Sequence, residues 1–228
     1  MKFIRAFSDL RLGDRCVHCG AAPTTRDHVP PRALLDPPYP ENLAVVPSCQ
    51  PCNSRASADE QYLACALEAA VCGSAEPDRL ERAKIARALE RRPKLRTMIA
   101  DAFVPNALAV DSERVGSVLG KTARGLRAYE TSEHWPAGQL SVWFGAISTL
   151  DEDQRRAFLD IGGSDLCPEI GSRLMQRSLV DWGGANVWQV VQADRFEYSI
   201  ETRRAGDRVK MLVRGYLAVE VTFFDDGW

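Results

Sequence analysis

The chain has 228 residues, 45% of them hydrophobic and 26% charged, with a formal net charge of -2, a composition of folded globular proteins that excludes collagen-like and disordered classes. No window approaches the roughly 18 consecutive apolar residues of a membrane span, and the first nine residues lack the apolar run of a signal peptide, so a cytoplasmic location with no membrane partner is expected. The near-neutral sum conceals a split: residues 1–129 hold 19 Lys/Arg against 15 Asp/Glu, and residues 130–228 hold 10 against 16.

In chain order, the first sharp signal is cysteine spacing. Cys16-Val17-His18-Cys19 and Cys49-Gln50-Pro51-Cys52 are two C-x-x-C pairs, each able to place two thiolates on one tetrahedral ion. Together they predict a four-cysteine structural zinc site, one Zn²⁺ per chain. Gly20 and Pro51 suit the tight turns such pairs need. The 29 residues between Cys19 and Cys49 exceed the roughly 15–20 of a common zinc ribbon, so an insert is folded between the pairs. His18 inside the first turn reads as a surface residue. Cys65, Cys72 and Cys167 stand apart and read as small core residues.

Within the insert, Pro30-Pro31, Pro37-Pro38 and Pro40 disfavour a helix and predict an extended loop, followed by a short strand at Leu43 to Val46. From Asn53 onward the pattern is helical, with Ser57 and Glu60 resembling a capping box and Gly73 with Pro77 as the stop. Further helices are expected at Asp78 to Arg91, at Leu95 to Phe103 and around Val115 to Tyr129. The segment Arg79 to Arg96 carries eight Lys/Arg against two Asp/Glu and is a candidate polyanion surface. Lys121, Arg124 and Arg127 recur every three residues and are read as one basic helix face for nucleic acid. After Pro136 the character becomes β-rich, with strands at Leu140 to Phe144, Val187 to Val191, Phe196 to Ile200, Val209 to Val213 and Tyr216 to Phe224. A hairpin turn is expected at Ala205-Gly206-Asp207, and helices at Asp153 to Ile161 and Ile170 to Leu179.

The insert also contains Arg26-Asp27-His28-Val29-Pro30-Pro31-Arg32 and Asn42-Leu43, and Asn53 follows the second cysteine pair at once. From Cys16 to about Tyr62 the sequence resembles the HNH endonucleases, through C-x-x-C-G, D-H-V-P-P-R, N-L-x-x-V-P-x-C and C-N. That resemblance implies a ββα-metal fold, hydrolysis of nucleic-acid phosphodiesters with DNA ahead of RNA, and a catalytic Mg²⁺ or Mn²⁺ besides the zinc. It assigns His28 as general base, Asp27 and Asn53 as ligands of the catalytic ion, and Asn42 as the residue that orients His28. Asn53 stands where the family often has His, an H-N-N variant, and a carboxamide oxygen binds Mg²⁺ more weakly than a charged ligand. Asp27 replaces the subgroup's Glu and keeps the carboxylate. Arg32 is assigned to a neighbouring phosphate.

The expected fold is α+β: a zinc-stapled ββα-metal domain over residues 1–75, a helical section over 76–135, and a mainly antiparallel α+β domain over 136–228. The acidic last section is unsuited to wrapping a polyanion and is expected to bind a protein partner, form a homodimer or regulate. Two alternatives stay open, a non-catalytic zinc-ribbon module that binds nucleic acid or protein, and an effector nuclease gated by the C-terminal section.

Overall fold

Strand β1 (Thr25–His28) pairs antiparallel with β2 (Val45–Ser48), setting Asp27 opposite Val46 and His28 opposite Val45. Helix α1 (Gln50–Cys72) follows directly, with Cys49 as N-cap, Pro51 in its first turn and Gly73 in the left-handed conformation at its end. Proline is accepted there because the first helical N–H groups have no intrahelical partner to lose. The helix therefore begins on the second cysteine pair, earlier than the expected capping box. Ser57 lies inside it, its hydroxyl donating to the Asn53 carbonyl, and Glu60 faces another helix instead of capping this one. In the proline-rich insert a single 3-10 turn (Arg32–Leu34) buries Leu34 and Leu35 completely.

This computed structural model describes residues 7–104, 107–134, 139–180 and 187–224. The helix expected from Asp78 resolves into a 3-10 turn (Pro77–Arg79) and a shorter helix, α2 (Ala83–Glu90), and α3 (Pro93–Asp101) follows. Strands β3 (Phe103–Val104) and β4 (Ala107–Leu108) pair as a two-residue ladder, too short to leave a period in the sequence. Helix α4 (Ser112–Thr131) is capped by Asp111, whose carboxylate accepts from the Arg114 N–H at 3.1 Å. The C-terminal elements are β5 (Leu140–Ala146), α5 (Glu152–Leu159), α6 (Arg173–Val180), β6 (Gln189–Gln192), β7 (Phe196–Glu201), β8 (Arg208–Val213) and β9 (Leu217–Phe223). The last five strands form one antiparallel sheet in the order β5-β9-β8-β7-β6. Gly206 (φ 117°) makes the expected β7–β8 turn, where a Cβ would overlap the Phe223 carbonyl. Expected strand and helix positions in this half are met to within a few residues. The expected boundary at 135/136, with Trp135, Trp182 and Trp228, lies outside the described residues.

Architecture is thus mixed, with six α-helices among the described residues and a five-stranded antiparallel sheet. One buried apolar cluster runs from Leu12 to Phe223, taking in Val29, Leu63, Leu119, Leu126, Ile200 and Val219. The three sections expected from sequence therefore share a core. Helix α4 is its axis, touching α1, β2, β5 and β9. Gly125 lets it come close to the insert, since a Cβ there would overlap Val29 Cγ1. Replacing Gly125 by Val is expected to cost about 1–3 kcal/mol, the ordinary penalty of overpacking, despite valine's better helix propensity. A urea melt checks this, and an unchanged midpoint would contradict the close packing.

Candidate functional site

The first cysteine pair folds as a knuckle: the Gly20 N–H donates to the Cys16 carbonyl at 2.8 Å and the Cys16 N–H to the Ala21 carbonyl at 2.7 Å. Val17 N–H donates to the Pro47 carbonyl at 3.1 Å, which seats the knuckle on the β1–β2 hairpin. The second pair caps α1. The four sulfurs lie within 4.8 Å of one another, and Cys19 Sγ is 3.6 Å from Cys49 Sγ. Tetrahedral bonds of about 2.3 Å to one zinc require sulfur separations of this size. The donor set fits as chemistry too. Burial opposes ionisation of Cys16, but backbone N–H groups of Cys49, His18 and Cys19 aim at its sulfur and hold the thiol down to about 7. Burial and the crowded sulfurs of Cys49, Cys19 and Cys16 push Cys52 up, because thiolates this close need a shared cation. The four cysteines can hold a metal such as zinc. Of the three others, Cys65 is buried, Cys72 half-buried and Cys167 exposed, so Cys167 is not the core residue expected.

Asp27 lies on one face of β1 and His28 on the other, as strand alternation requires. Asp27 is 6% exposed, and two side chains meet it at Oδ2: His18 Nε2 at 3.0 Å and Lys121 Nζ at 2.6 Å. Burial alone would raise its pKa, yet His18 and Lys121 hold it below the ordinary carboxylate value. Lys121 also reaches Glu60 Oε1 at 2.8 Å. Its pKa is raised because the two carboxylates outweigh its burial. Asn53, in the first turn of α1, donates from Nδ2 to Thr25 Oγ1 and to the Arg26 carbonyl, both at 3.2 Å. That clamps the helix start to β1 beside Asp27, while no described residue donates to the side-chain Oδ1 of Asn53.

His28 is half-buried. Burial first, then Arg32, lowers its pKa against the opposing charge of Asp27, so the imidazole is neutral at pH 7. No described residue hydrogen-bonds its ring. Asn42, expected to orient His28 by hydrogen-bonding the loop backbone, makes no side-chain hydrogen bond with the described residues: it is exposed and lines a small cavity of about 120 Å³ with Val29, Tyr129, Arg177 and Tyr198. The loop backbone is held instead by the Val29 N–H donating to the Ala44 carbonyl at 3.0 Å. Arg32 is exposed, with its guanidinium 5.1 Å above the Tyr39 ring.

The three basic residues of α4 divide. Each three-residue step falls about 60° short of a full turn, so Arg127 sits about 120° round the helix from Lys121. Lys121 and Arg124 line a cleft of about 400 Å³ between α1 and α4, with His18, Cys52, Arg55 and Asp59. Arg124 is half-buried beside Cys52 and has no carboxylate partner among the described residues. Arg127 is buried on another side of the helix, paired with Asp207 Oδ2 at 2.5 Å and Glu133 Oε2 at 2.9 Å. It is a core ion pair and not part of a nucleic-acid face. The basic run also divides: Arg82 is buried on Asp36 at 2.9 Å, Lys84 bonds the carbonyls of Arg32 and Leu35, and Arg79, Arg87, Arg91, Arg92 and Lys94 are exposed.

Sequence reasoning missed His18 and Glu60. The side chain of His18, expected at the surface, is 5% exposed and bonded to Asp27; only the docking of the knuckle on the hairpin turns it inward, and no spacing rule encodes that. Glu60 lies two turns beyond Asn53 on α1, a spacing that could have suggested a shared face. Among the described residues the four cysteines are the one cluster of three or more His, Cys, Asp or Glu within metal-binding distance. A second ion at Asp27 and Asn53 would rest on one carboxylate and one carboxamide oxygen, a donor set that suits Mg²⁺ retaining most of its waters. No described helix is long and apolar enough to cross a membrane. No protein-family model matches the chain, and neither does any curated protein or solved structure compared with it.

Proposed function

We propose that the chain is a metal-dependent HNH-type endonuclease that hydrolyses nucleic-acid phosphodiesters, with DNA the favoured substrate. One observation carries the reading. Asp27 and His28 are consecutive on a strand of a β-hairpin, and the following helix starts on a four-thiol cluster and holds that strand through Asn53.

In this reading Asp27 and Asn53 hold a divalent cation, which neutralises charge on the scissile phosphate and the leaving oxygen. His28 takes the proton of the attacking water. Its lowered pKa keeps the ring nitrogen free for that proton at neutral pH. His18 fixes the Asp27 carboxylate by a hydrogen bond to Oδ2. Exposed Arg32 and half-buried Arg124 offer guanidinium groups to flanking phosphates. The zinc serves folding alone, because four thiolates leave it no open position.

The ion pair of Lys121 with Asp27 favours the second reading, a zinc-stabilised binding module in which Asp27 is structural. Divalent dependence separates the two. Supercoiled plasmid and RNA are incubated with the chain in Mg²⁺ or Mn²⁺ and in chelator. Nicking is expected only with metal, and His28→Ala is expected to lower it by about 10²-fold or more without changing zinc content. Cleavage unchanged in His28→Ala, or absent with every substrate and metal, overturns the assignment.

A further inference from the structure

We infer that Lys121 sets the divalent-ion affinity of the Asp27 centre: its ammonium carries the counter-charge of Asp27 in the metal-free protein, and an incoming ion binds against it. This rests on the proposed reading of Asp27 as a metal ligand. The side chain of Lys121 is 12% exposed and spans two carboxylates, Asp27 Oδ2 at 2.6 Å and Glu60 Oε1 at 2.8 Å. A lysine so placed is not a phosphate anchor, because its charge is already matched twice over. It is held at contact distance from the carboxylate that a divalent ion must share.

Any ion at Asp27 meets that like charge across the width of one carboxylate group. A single charge facing a double charge at about 5 Å weakens binding by roughly tenfold even with the screening of bulk water, and by more in a half-buried site. Helix α4 cannot relieve this by shifting. Gly125, one turn further along, is pressed against Val29, so only the lysine side chain can move. Glu60 gives it somewhere to go. The ammonium can give up Asp27 and keep its second partner, so the Lys121–Glu60 contact is the seat that lets the ion in. Removing the charge and removing the seat thus have opposite effects.

The test is Mn²⁺ binding to the zinc-loaded full chain, followed by the loss of the free-ion paramagnetic resonance signal. Lys121→Met and Lys121→Gln are expected to tighten Mn²⁺ binding about tenfold or more, Lys121→Arg to leave it near wild type, and Glu60→Gln to weaken it. Lys121→Gln keeps a hydrogen-bond donor and serves where Lys121→Met does not fold, as judged by a thermal melt. Binding in Lys121→Gln that is unchanged or weaker, with binding still lost in Asp27→Asn, overturns the role of Lys121 and leaves the metal site standing. Wild-type binding in Asp27→Asn removes Asp27 as a ligand, and this inference with it.

Discussion

Stripping the metal from the four-cysteine cluster, or replacing Cys49 by Ser, is expected to unfold the β1–β2–α1 unit and with it most of the chain. The two strands have four residues each, and a lone two-stranded hairpin is marginal in water. Structural zinc contributes about 10–16 kcal/mol of apparent folding free energy in small units at pH 7, as much as the about 5–15 kcal/mol that holds a typical domain together. The loss cannot stay local, because Val17, Val29 and Val46 belong to the same apolar cluster as Leu119, Leu126 and Val219. Elemental analysis should find about one zinc per chain. Chelation should then remove amide-exchange protection along α1 and also along α4. Protection that survives chelation in both helices would show that the cluster does not hold the fold.

Replacing Arg127 by Ala is the second large effect, expected to cost about 3–5 kcal/mol in a urea melt, because removing one partner of a buried pair strands the other charge. The stranded group is Asp207, whose side chain is 7% exposed. The same change at the exposed Arg55 should stay within about 0.5 kcal/mol. Changing the pair together, Arg127→Met with Asp207→Asn, should recover part of the loss, since no unmatched charge then remains buried. An Arg127→Ala chain of unchanged stability but weaker DNA binding would restore the surface role that helical spacing first gave it.

These two cases show which features are legible in the amino-acid order. The cysteine pairs are local, with two residues between ligands, so their geometry can be read directly. The C-terminal strands are legible because β-branched and aromatic residues are concentrated in runs of five to seven, as in Phe196–Glu201 and Leu217–Phe223. Helix α4 shows itself through Val115, Val118, Leu119, Thr122 and Leu126, all buried. Its polar residues mislead, since a three-residue repeat looks like a stripe but winds around the axis, and only tertiary packing shows that Arg127 meets Asp207. The same holds for His18, nine residues from Asp27 but turned to it by the docking of the knuckle on Pro47, and for Glu60, brought to Lys121 from 61 residues away.

The charge asymmetry takes on a different meaning once the partners are known. Arg127 of the basic half pairs with Asp207 of the acidic half, and Arg11 with Glu169. Pairs of the opposite sense, Arg195 with Asp36 at 2.6 Å and Arg214 with buried Glu68 at 3.2 Å, cross the same joint. These pairs run two in each sense, so they tie the halves together without drawing on the surplus of either. Arg32, Arg55 and the exposed arginines of the 79–94 segment take part in none of these crossing pairs.

The single apolar core also constrains how the chain can be dissected. A shortened chain ending near residue 135 would strip β5 and β9 from α4 and uncover the face of α4 around Gly120 that packs on Leu140 and Val142. Such a fragment would clump whether or not the missing part restrains a nuclease, so inactivity in it carries no information about regulation. Point substitutions at the crossing ion pairs, which loosen the joint while leaving the shared apolar cluster covered, are the sound way to ask whether one half governs the other.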